Sequence, residues 1–375
     1  MFNQIHTKMK ATKFFLTLVV SMLFAAIAGA FAGPVGAGIA FGASMIQKPA
    51  GFTYMAVTPE IWTNYIVENL FKNNEFMLNS IDESQYVIGA GVVHIPQAGS
   101  PSGAKRNRTS LPATITRRKD IDVTYVLDEF TTDPRFIPNI DKAELSYDKM
   151  ESCIGEDMAY LKQLIAESTL YNWRPKWFIK TTGDSATATI GTGNRKKITV
   201  ADFVSAKKQF NKWNVPEADR FVVISTDLLG QIVDELKANT TRDNSVIYNP
   251  LTGKIEKLES FTIYERSTAL VASNTTLSQN SSSKLWYWTS NDLVYTPEQL
   301  NDRYAETESW ATTSAEIALF WYKNHVARAI GATQMFDDLG NPTYYGDIYS
   351  FLQRAGGRSR RSDGKGVLGV IQVAP

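Results

Sequence analysis

Residues 92–165 constrain the fold more than any other part of this chain. A short apolar strand that begins at Val92 is followed by a tip rich in Gly, Ser, Lys and Arg at 99–108, and then by a return strand at 115–130. The return strand alternates apolar and polar residues over 121–127, as a half-buried strand requires. A long, charged hairpin exposes strand edges that a monomer normally protects. The pattern therefore predicts an arm that lies across a neighbouring subunit.

A long helix is predicted to follow this arm. Asp141 with Glu144 three residues later resembles a capping box that opens a helix. Apolar residues then recur every three or four positions to near Tyr171, namely Met150, Ile154, Met158, Leu161 and Ile165. The only cysteine, Cys153, falls within this stretch and is predicted to be a plain buried thiol. A single cysteine excludes an intrachain disulfide and a cysteine-based zinc site.

The middle of the chain predicts an α/β sub-domain. Thr199, with Asp202 three residues later, predicts a capped helix. Residues 221–225 form a short continuous apolar run typical of a buried strand, and 227–236 return to helical spacing. This order of helix, strand and helix indicates an α/β sub-domain.

The later segments are less uniform. Residues 260–265 and 366–373 are predicted to be strands. Residues 315–330 stay undecided, because 320–322 favour a strand and 327–329 favour neither helix nor strand. Residues 354–361 contain two glycines and four arginines and are predicted to form a flexible basic segment. The apolar end of the chain is predicted to be docked on the protein.

Composition and charge favour an ordinary folded protein that makes charged contacts. The chain has 375 residues, of which 43% are hydrophobic and 21% are charged, enough for two or three packed sub-domains. The formal net charge of +1 conceals basic clusters at 105–108, 117–119, 195–197 and 358–361. Scattered clusters favour contacts between subunits over one continuous nucleic-acid groove. These clusters lack interleaved aromatic residues on which bases could stack, so any nucleic acid is expected to be contacted only through its phosphates.

The first 54 residues differ from the rest. Three lysines precede an apolar run at 14–32, which is long enough to cross a bilayer and ends in a small-residue pattern like a signal-peptidase site. Met55, just before the first globular pattern, is equally a plausible start or processing point. The leader is therefore either an export signal, a membrane anchor or an upstream extension, and membrane association stays open.

Residues able to carry catalysis are sparse. The three histidines, His6, His94 and His325, have no zinc-binding spacing, and structural roles are predicted for His94 and His325. The glycines at 183–193 lack the spacing of a nucleotide-binding loop. Acids at 128–133 could bind a divalent cation through oxygen ligands, but pairing with basic residues of a neighbour is the commoner use. We predict no enzyme activity, no cofactor and no metal.

In their order along the chain, these parts resemble a tailed-bacteriophage major capsid protein with the Johnson fold. The matching parts are an N-terminal arm with a predicted helix that begins at Thr58-Pro59-Glu60-Ile61-Trp62, the extended loop at 92–127, the hinge at 128–134, the helix from Ala143, the α/β segment with 220–225, and the closing segments 346–349 and 354–373. The resemblance covers about residues 56–375, and its signatures are architectural, not catalytic. The hydrophobic leader departs from the family pattern.

The resemblance implies an α+β fold with a set order of domains. These are a leader at 1–54, an N-terminal arm and helix at 55–91, an extended β-hairpin loop at 92–130, a peripheral domain with a long spine helix at 131–198, a mainly axial α/β domain at 199–345 and a C-terminal return segment at 346–375.

The resemblance also implies a structural subunit of an icosahedral virion capsid. Copies would assemble with themselves into pentamers and hexamers around double-stranded DNA, which they would contact non-specifically. Scaffold, portal and decoration proteins are further expected partners. The predicted interface residues are Lys105, Arg106 and Arg108 on one subunit and Asp128, Glu129 and Asp133 on its neighbour.

Two alternatives remain open. The apolar run at 14–32 also suits an exported or membrane-anchored envelope protein. A cellular nanocompartment shell would use the same fold to enclose an enzyme cargo and no genome. Particle formation separates the first alternative from the capsid, and DNA content separates the second.

Overall fold

The computed structural model describes residues 72, 74–86, 92–99, 101–109, 111–113, 115–138, 149–238, 255–273, 276–288, 294–304 and 309–375. The predictions for the leader, for the helix beginning at Thr58 and for the capping box at Asp141 lie outside these residues. Within the described part of the chain, no helix is long and apolar enough to cross a membrane.

Helices and strands are mixed along the chain, as in an α+β fold. The described strands are, in chain order, β1 (Ile81–Asp82), β2 (Val92–Gln97), β3 (Ile121–Val126), β4 (Asp128–Thr131), β5 (Arg135–Pro138), β6 (Trp177–Lys180), β7 (Ser185–Thr187), β8 (Asn194–Lys196), β9 (Arg220–Ser225), β10 (Lys257–Leu258), β11 (Phe261–Arg266), β12 (Leu270–Ala272), β13 (Ser278–Gln279), β14 (Trp286–Tyr287), β15 (Ala315–Tyr322), β16 (Val326–Ile330), β17 (Gln334–Asn341), β18 (Gly346–Ser359) and β19 (Val367–Ile371). The described α-helices are α1 (Lys149–Asn172), α2 (Val200–Lys212), α3 (Thr226–Ala238) and α4 (Pro297–Tyr304). Short 3-10 turns lie at Glu75–Asn79, Ser84–Tyr86 and Lys323–His325.

The larger sheet joins the middle of the chain to its end. Nine of the described strands belong to it, in the order β10-β11-β9-β15-β19-β6-β14-β13, with β12 also paired to β15. The central strands β9, β15 and β19 are buried on both faces, which explains their continuous apolar sequences. Successive residues point to opposite faces, so Val222 packs in the apolar cluster of α2 and α3, and Val223 packs in the cluster of α1.

The second sheet is organised around β18, a strand of 14 residues. On one side, β18 pairs with β17 and then with β16; on the other, it pairs with β5 and then with β4. Strand β1 completes the sheet beside β16. The prediction that 354–361 is flexible is wrong for most of that segment, because residues up to Ser359 continue β18. The glycines there are needed for close packing: a Cβ on Gly357 would lie 2.7 Å from the carbonyl oxygen of Ala327.

The local helix and strand predictions are largely confirmed. Helix α1 covers most of the predicted long helix, and the capping box of Thr199 and Asp202 is present at the start of α2. The ambiguous segment 315–330 forms two strands, β15 and β16, joined by a short turn. Cys153 is partly buried and packs beside the core, so its thiol is less buried than predicted.

Two tryptophans connect α1 and the two sheets. The Nε1 of Trp173, just after α1, donates a 2.9 Å hydrogen bond to the carbonyl of Ala327 in β16. The Nε1 of Trp321 in β15 donates to the carbonyl of Asn79 at 2.8 Å. The two rings lie 5.8 Å apart between centroids, and the ring of Phe76 packs against both. The end of α1 is thus held where the two sheets meet.

Candidate subunit-interface site

The predicted arm is a two-stranded hairpin in the structure. Strands β2 and β3 pair antiparallel from Val92 opposite Val126 to Gln97 opposite Ile121. Six residues at about 3.3 Å each give a paired length of about 20 Å. The return strand is shorter than the predicted 115–130, because 115–120 are not in a strand and β4 pairs with β18 instead of β2.

The base of the hairpin rests on the second sheet. Val123, Tyr125 and Leu127 are buried and form an apolar cluster with Ala327 and Ala329 of β16. This confirms the predicted alternation over these three positions. Ile121, two residues earlier on the same face, is 51% exposed. The hairpin is therefore packed against the sheet at its base, and at its outer end Gln97 accepts hydrogen bonds from the backbone N–H and the hydroxyl of Ser362 at 3.0 and 2.9 Å.

A polar cluster fastens the same base. The hydroxyl of Tyr125 donates a 3.0 Å hydrogen bond to the buried carboxylate of Glu83. The guanidinium of Arg360, beyond the end of β18, forms a 3.2 Å ion pair with the other carboxylate oxygen. Burial raises the pKa of Glu83, while Tyr125 and Arg360 both oppose that increase. Three distant parts of the chain thus meet where the hairpin leaves the sheet.

The predicted basic residues lie at the free tip of the hairpin. Lys105 and Arg106 are exposed, and Arg108 is half-buried. None of the three forms an ion pair with another described residue. Two apolar side chains follow them in the loop, Leu111 at 81% and Ile115 at 98% exposure. The tip therefore presents cations and apolar groups together.

The predicted acidic residues lie at the opposite end of the hairpin. Asp128 and Glu129 belong to β4, directly after the base, and Asp133 is exposed just beyond it. Glu129 already has a partner within the chain, because Arg354 donates to its Oε1 from Nε at 2.9 Å and from a terminal nitrogen at 2.5 Å. Within one subunit, the basic tip and these acids lie at opposite ends of the hairpin and form no ion pair with one another in the described residues. Their pairing between neighbouring subunits stays a prediction.

Sequence reasoning missed Glu83, Arg354 and Arg360. Arg354 is 225 positions from Glu129 along the chain, and no local pattern indicates such a pair. Only the pairing of β4 with β18 places them side by side. Long-range sheet register therefore defines these contacts.

His94 and His325 lie in the described part of the chain, and each contacts a polar atom of the same chain. His94 Nδ1 lies 2.5 Å from Asp122 Oδ2, but both side chains are more than half exposed on the hairpin. The ring of His325 contacts the carbonyl of Lys365 at 2.9 Å, and burial lowers its pKa. Over the described ranges, no group of three or more His, Cys, Asp or Glu side chains is placed to hold a metal ion.

Comparison with known proteins identifies the fold. No protein-family model and no curated protein matches the sequence. Among solved structures, a chain of Mycobacterium phage Che8 is 16% identical with a TM-score of 0.54, over 83% of this chain and 96% of that one. The capsid of cyanophage P-SCSP1u gives 14% identity and a TM-score of 0.55, over 82% of this chain and 91% of that one. The capsid of Ralstonia phage GP4 gives 10% identity and a TM-score of 0.55, over 84% and 94% respectively. Although its identity to them is low, this chain has the α+β fold of phage major capsid proteins.

Proposed function

We propose that this protein is the structural subunit of an icosahedral bacteriophage capsid, in which pentamers and hexamers enclose double-stranded DNA. The observation that carries the proposal is the extent of the structural match, which includes 91% and 94% of the capsid chains of two different phages. The tip of the hairpin adds physical support, because its exposed basic and apolar side chains need a neighbour to cover them.

The proposed parts of the subunit follow the predicted domains. The hairpin belongs to the extended loop at 92–130, and α1 is the spine helix of a peripheral domain at 131–198. The segment 199–345 is mainly an axial domain, and 346–375 is the return segment. The predicted interface residues lie at contacts between subunits in this proposal: Lys105, Arg106, Arg108, Asp128, Glu129 and Asp133.

The role is structural and not enzymatic in this proposal. Permanent assemblies bury roughly 2,000 Å² or more per interface. Symmetry also repeats each weak polar contact many times, so that such contacts together can hold a shell. Scaffold, portal and decoration proteins are the proposed further partners. Packaged DNA is proposed to meet the subunit only through non-specific phosphate contacts.

Electron microscopy of the purified protein tests this proposal. The full chain and a chain starting at Met55 are expressed separately, and the intact mass of native material shows where the mature protein begins. Closed shells or capsomers support the capsid function, and double-stranded DNA in native particles distinguishes a capsid from a nanocompartment. A monomer that assembles nothing, found with membranes or beginning just after Ala32, favours the envelope protein and overturns the proposal.

A further inference from the structure

Strand β17 is an exposed edge of the second sheet. It pairs only with β18 among the described strands, and seven of its eight residues are exposed. Its exposed apolar side chains include Phe336 at 53% and Leu339 at 62%. An apolar, unpaired edge invites association with another chain, so proteins normally cover or charge it.

The same strand carries two adjacent carboxylates. Asp337 stands opposite Tyr349 and Asp338 opposite Ile348 in β18. Neighbouring strand residues point to opposite faces, so Met335 and Asp337 share one face, and Phe336 and Asp338 share the other. Neither aspartate forms an ion pair with another described residue; Asp338 accepts only a 2.6 Å hydrogen bond from Asn341. Each face of the edge therefore offers a carboxylate that has no ion pair among the described residues, beside an exposed apolar side chain.

The tip of the hairpin carries the complementary groups. Lys105, Arg106 and Arg108 supply positive charge, and Leu111 and Ile115 supply exposed apolar surface. Among the hinge acids, Glu129 is a poorer match, because Arg354 already neutralises it. A second β17 is also a poor match, because edge-to-edge pairing would bring four carboxylates together.

We propose that the hairpin tip of one subunit binds the β17 edge of a second copy of this chain, with Lys105, Arg106 and Arg108 facing Asp337 and Asp338. The apolar residues of the tip cover Phe336 and its neighbours on the edge. This inference rests on the proposed function, since it names the surface that receives the arm. Exposed ion pairs are individually weak and are screened by salt, which makes the contact reversible during assembly.

Charge reversal with rescue tests the contact. Three proteins are compared with wild type by electron microscopy and sedimentation: Asp337→Lys/Asp338→Lys, Lys105→Glu/Arg106→Glu/Arg108→Glu, and the combination of both. Each reversal alone is expected to lower the yield of particles by about tenfold, and the combination is expected to restore it, because the attraction is rebuilt with opposite signs. Asp128→Lys/Asp133→Lys reverses the other exposed acids of the proposed interface, and it is expected not to rescue the reversed tip.

A disulfide provides a second measurement that does not depend on yield. In a Cys153→Ser background, Lys105→Cys/Asp337→Cys is expected to give covalent oligomers under mild oxidation of the particles, whereas Lys105→Cys/Asp133→Cys is not. The contact is overturned if wild type forms particles, the Asp337→Lys/Asp338→Lys variant forms them in the same yield, and the cysteine pair gives no covalent oligomers. In that case the proposed capsid function is unaffected. The contact is also overturned if Asp128→Lys/Asp133→Lys, and not Asp337→Lys/Asp338→Lys, restores particles to the reversed tip. If wild type forms no particles at all, the proposed function fails, and this inference fails with it.

Discussion

Tyr125 and Glu83 form a buried hydrogen bond of 3.0 Å at the point where the hairpin leaves the second sheet. The tyrosine belongs to the hairpin, and the glutamate lies between β1 and the Ser84–Tyr86 turn. Because Arg360 pairs with the same carboxylate, the bond connects the arm to the sheet on which it rests. The direction of the arm is therefore set by residues outside it.

Removing this hydrogen bond should loosen the base of the arm. Tyr125→Phe keeps the ring but leaves one oxygen of the buried Glu83 without its donor, and should lower the free energy of unfolding by about 1–3 kcal/mol. Urea unfolding measures the loss, and hydrogen exchange should become faster in β2 and β3. The control Tyr345→Phe removes a hydroxyl from a side chain that is 78% exposed and should change neither quantity. An unchanged stability for Tyr125→Phe would contradict the proposed fastening.

The buried Glu316 should make stability depend on pH. Burial raises its pKa from 4.5 to about 7, although Thr189 donates a 2.9 Å hydrogen bond to its carboxylate. The folded state holds this proton more tightly than the unfolded state, so the resulting stability is fully present below pH 4.5 and is lost as the pH rises through about 7. One pKa unit corresponds to about 1.4 kcal/mol, so the loss is up to about 3 kcal/mol.

Glu316→Gln removes this titration. Between pH 4.5 and pH 7.5, its free energy of unfolding relative to wild type should rise by up to about 3 kcal/mol. Urea unfolding at several pH values checks the change. The exposed Glu298 is the control position, because Glu298→Gln makes the same substitution at a side chain that lies in water. A parallel pair of profiles for Glu316→Gln and wild type would show that Glu316 does not titrate in this range.

The glycine at 357 should not tolerate a larger residue. A Cβ there would lie 2.7 Å from the carbonyl oxygen of Ala327, and a backbone atom paired in a sheet cannot easily move away. Gly357→Ala should therefore lower the free energy of unfolding by about 1–3 kcal/mol. Gly103→Ala is the matched control, since nothing lies within 4 Å of a Cβ at that position. Equal melting temperatures for the two variants would contradict the close packing of β16 and β18.

The ion pair of Glu129 and Arg354 should contribute little to the stability of one subunit. Both side chains are about half exposed, so water and salt screen their attraction. A double-mutant cycle with Glu129→Gln and Arg354→Gln should give a coupling energy of about 0–1 kcal/mol. The unfolding must be measured on unassembled protein, so that contacts between subunits do not contribute. A coupling above about 2 kcal/mol would mean that the pair is more strongly shielded than its exposure indicates.

Local sequence patterns predicted many of the elements that support the site. Alternation at 121–127 predicted the buried face of β3, and the pair Thr199 and Asp202 predicted the start of α2. These patterns succeed because capping bonds and strand alternation involve residues only a few positions apart. The segment 354–361 was harder to predict, because glycines usually favour turns. Only the close approach of β16 shows why glycine is required in β18.

The sequence by itself determined the order of elements, the basic tip of the hairpin and the buried face at its base. Tertiary structure alone decided that Glu129 pairs with Arg354, that Glu83 receives Tyr125 and Arg360, and that Asp337 and Asp338 lie on an exposed edge. The physical reason is how far apart along the sequence the interacting residues lie. Helix caps and alternation depend on neighbours in the chain, whereas these ion pairs and edges depend on which distant strands become partners in a sheet.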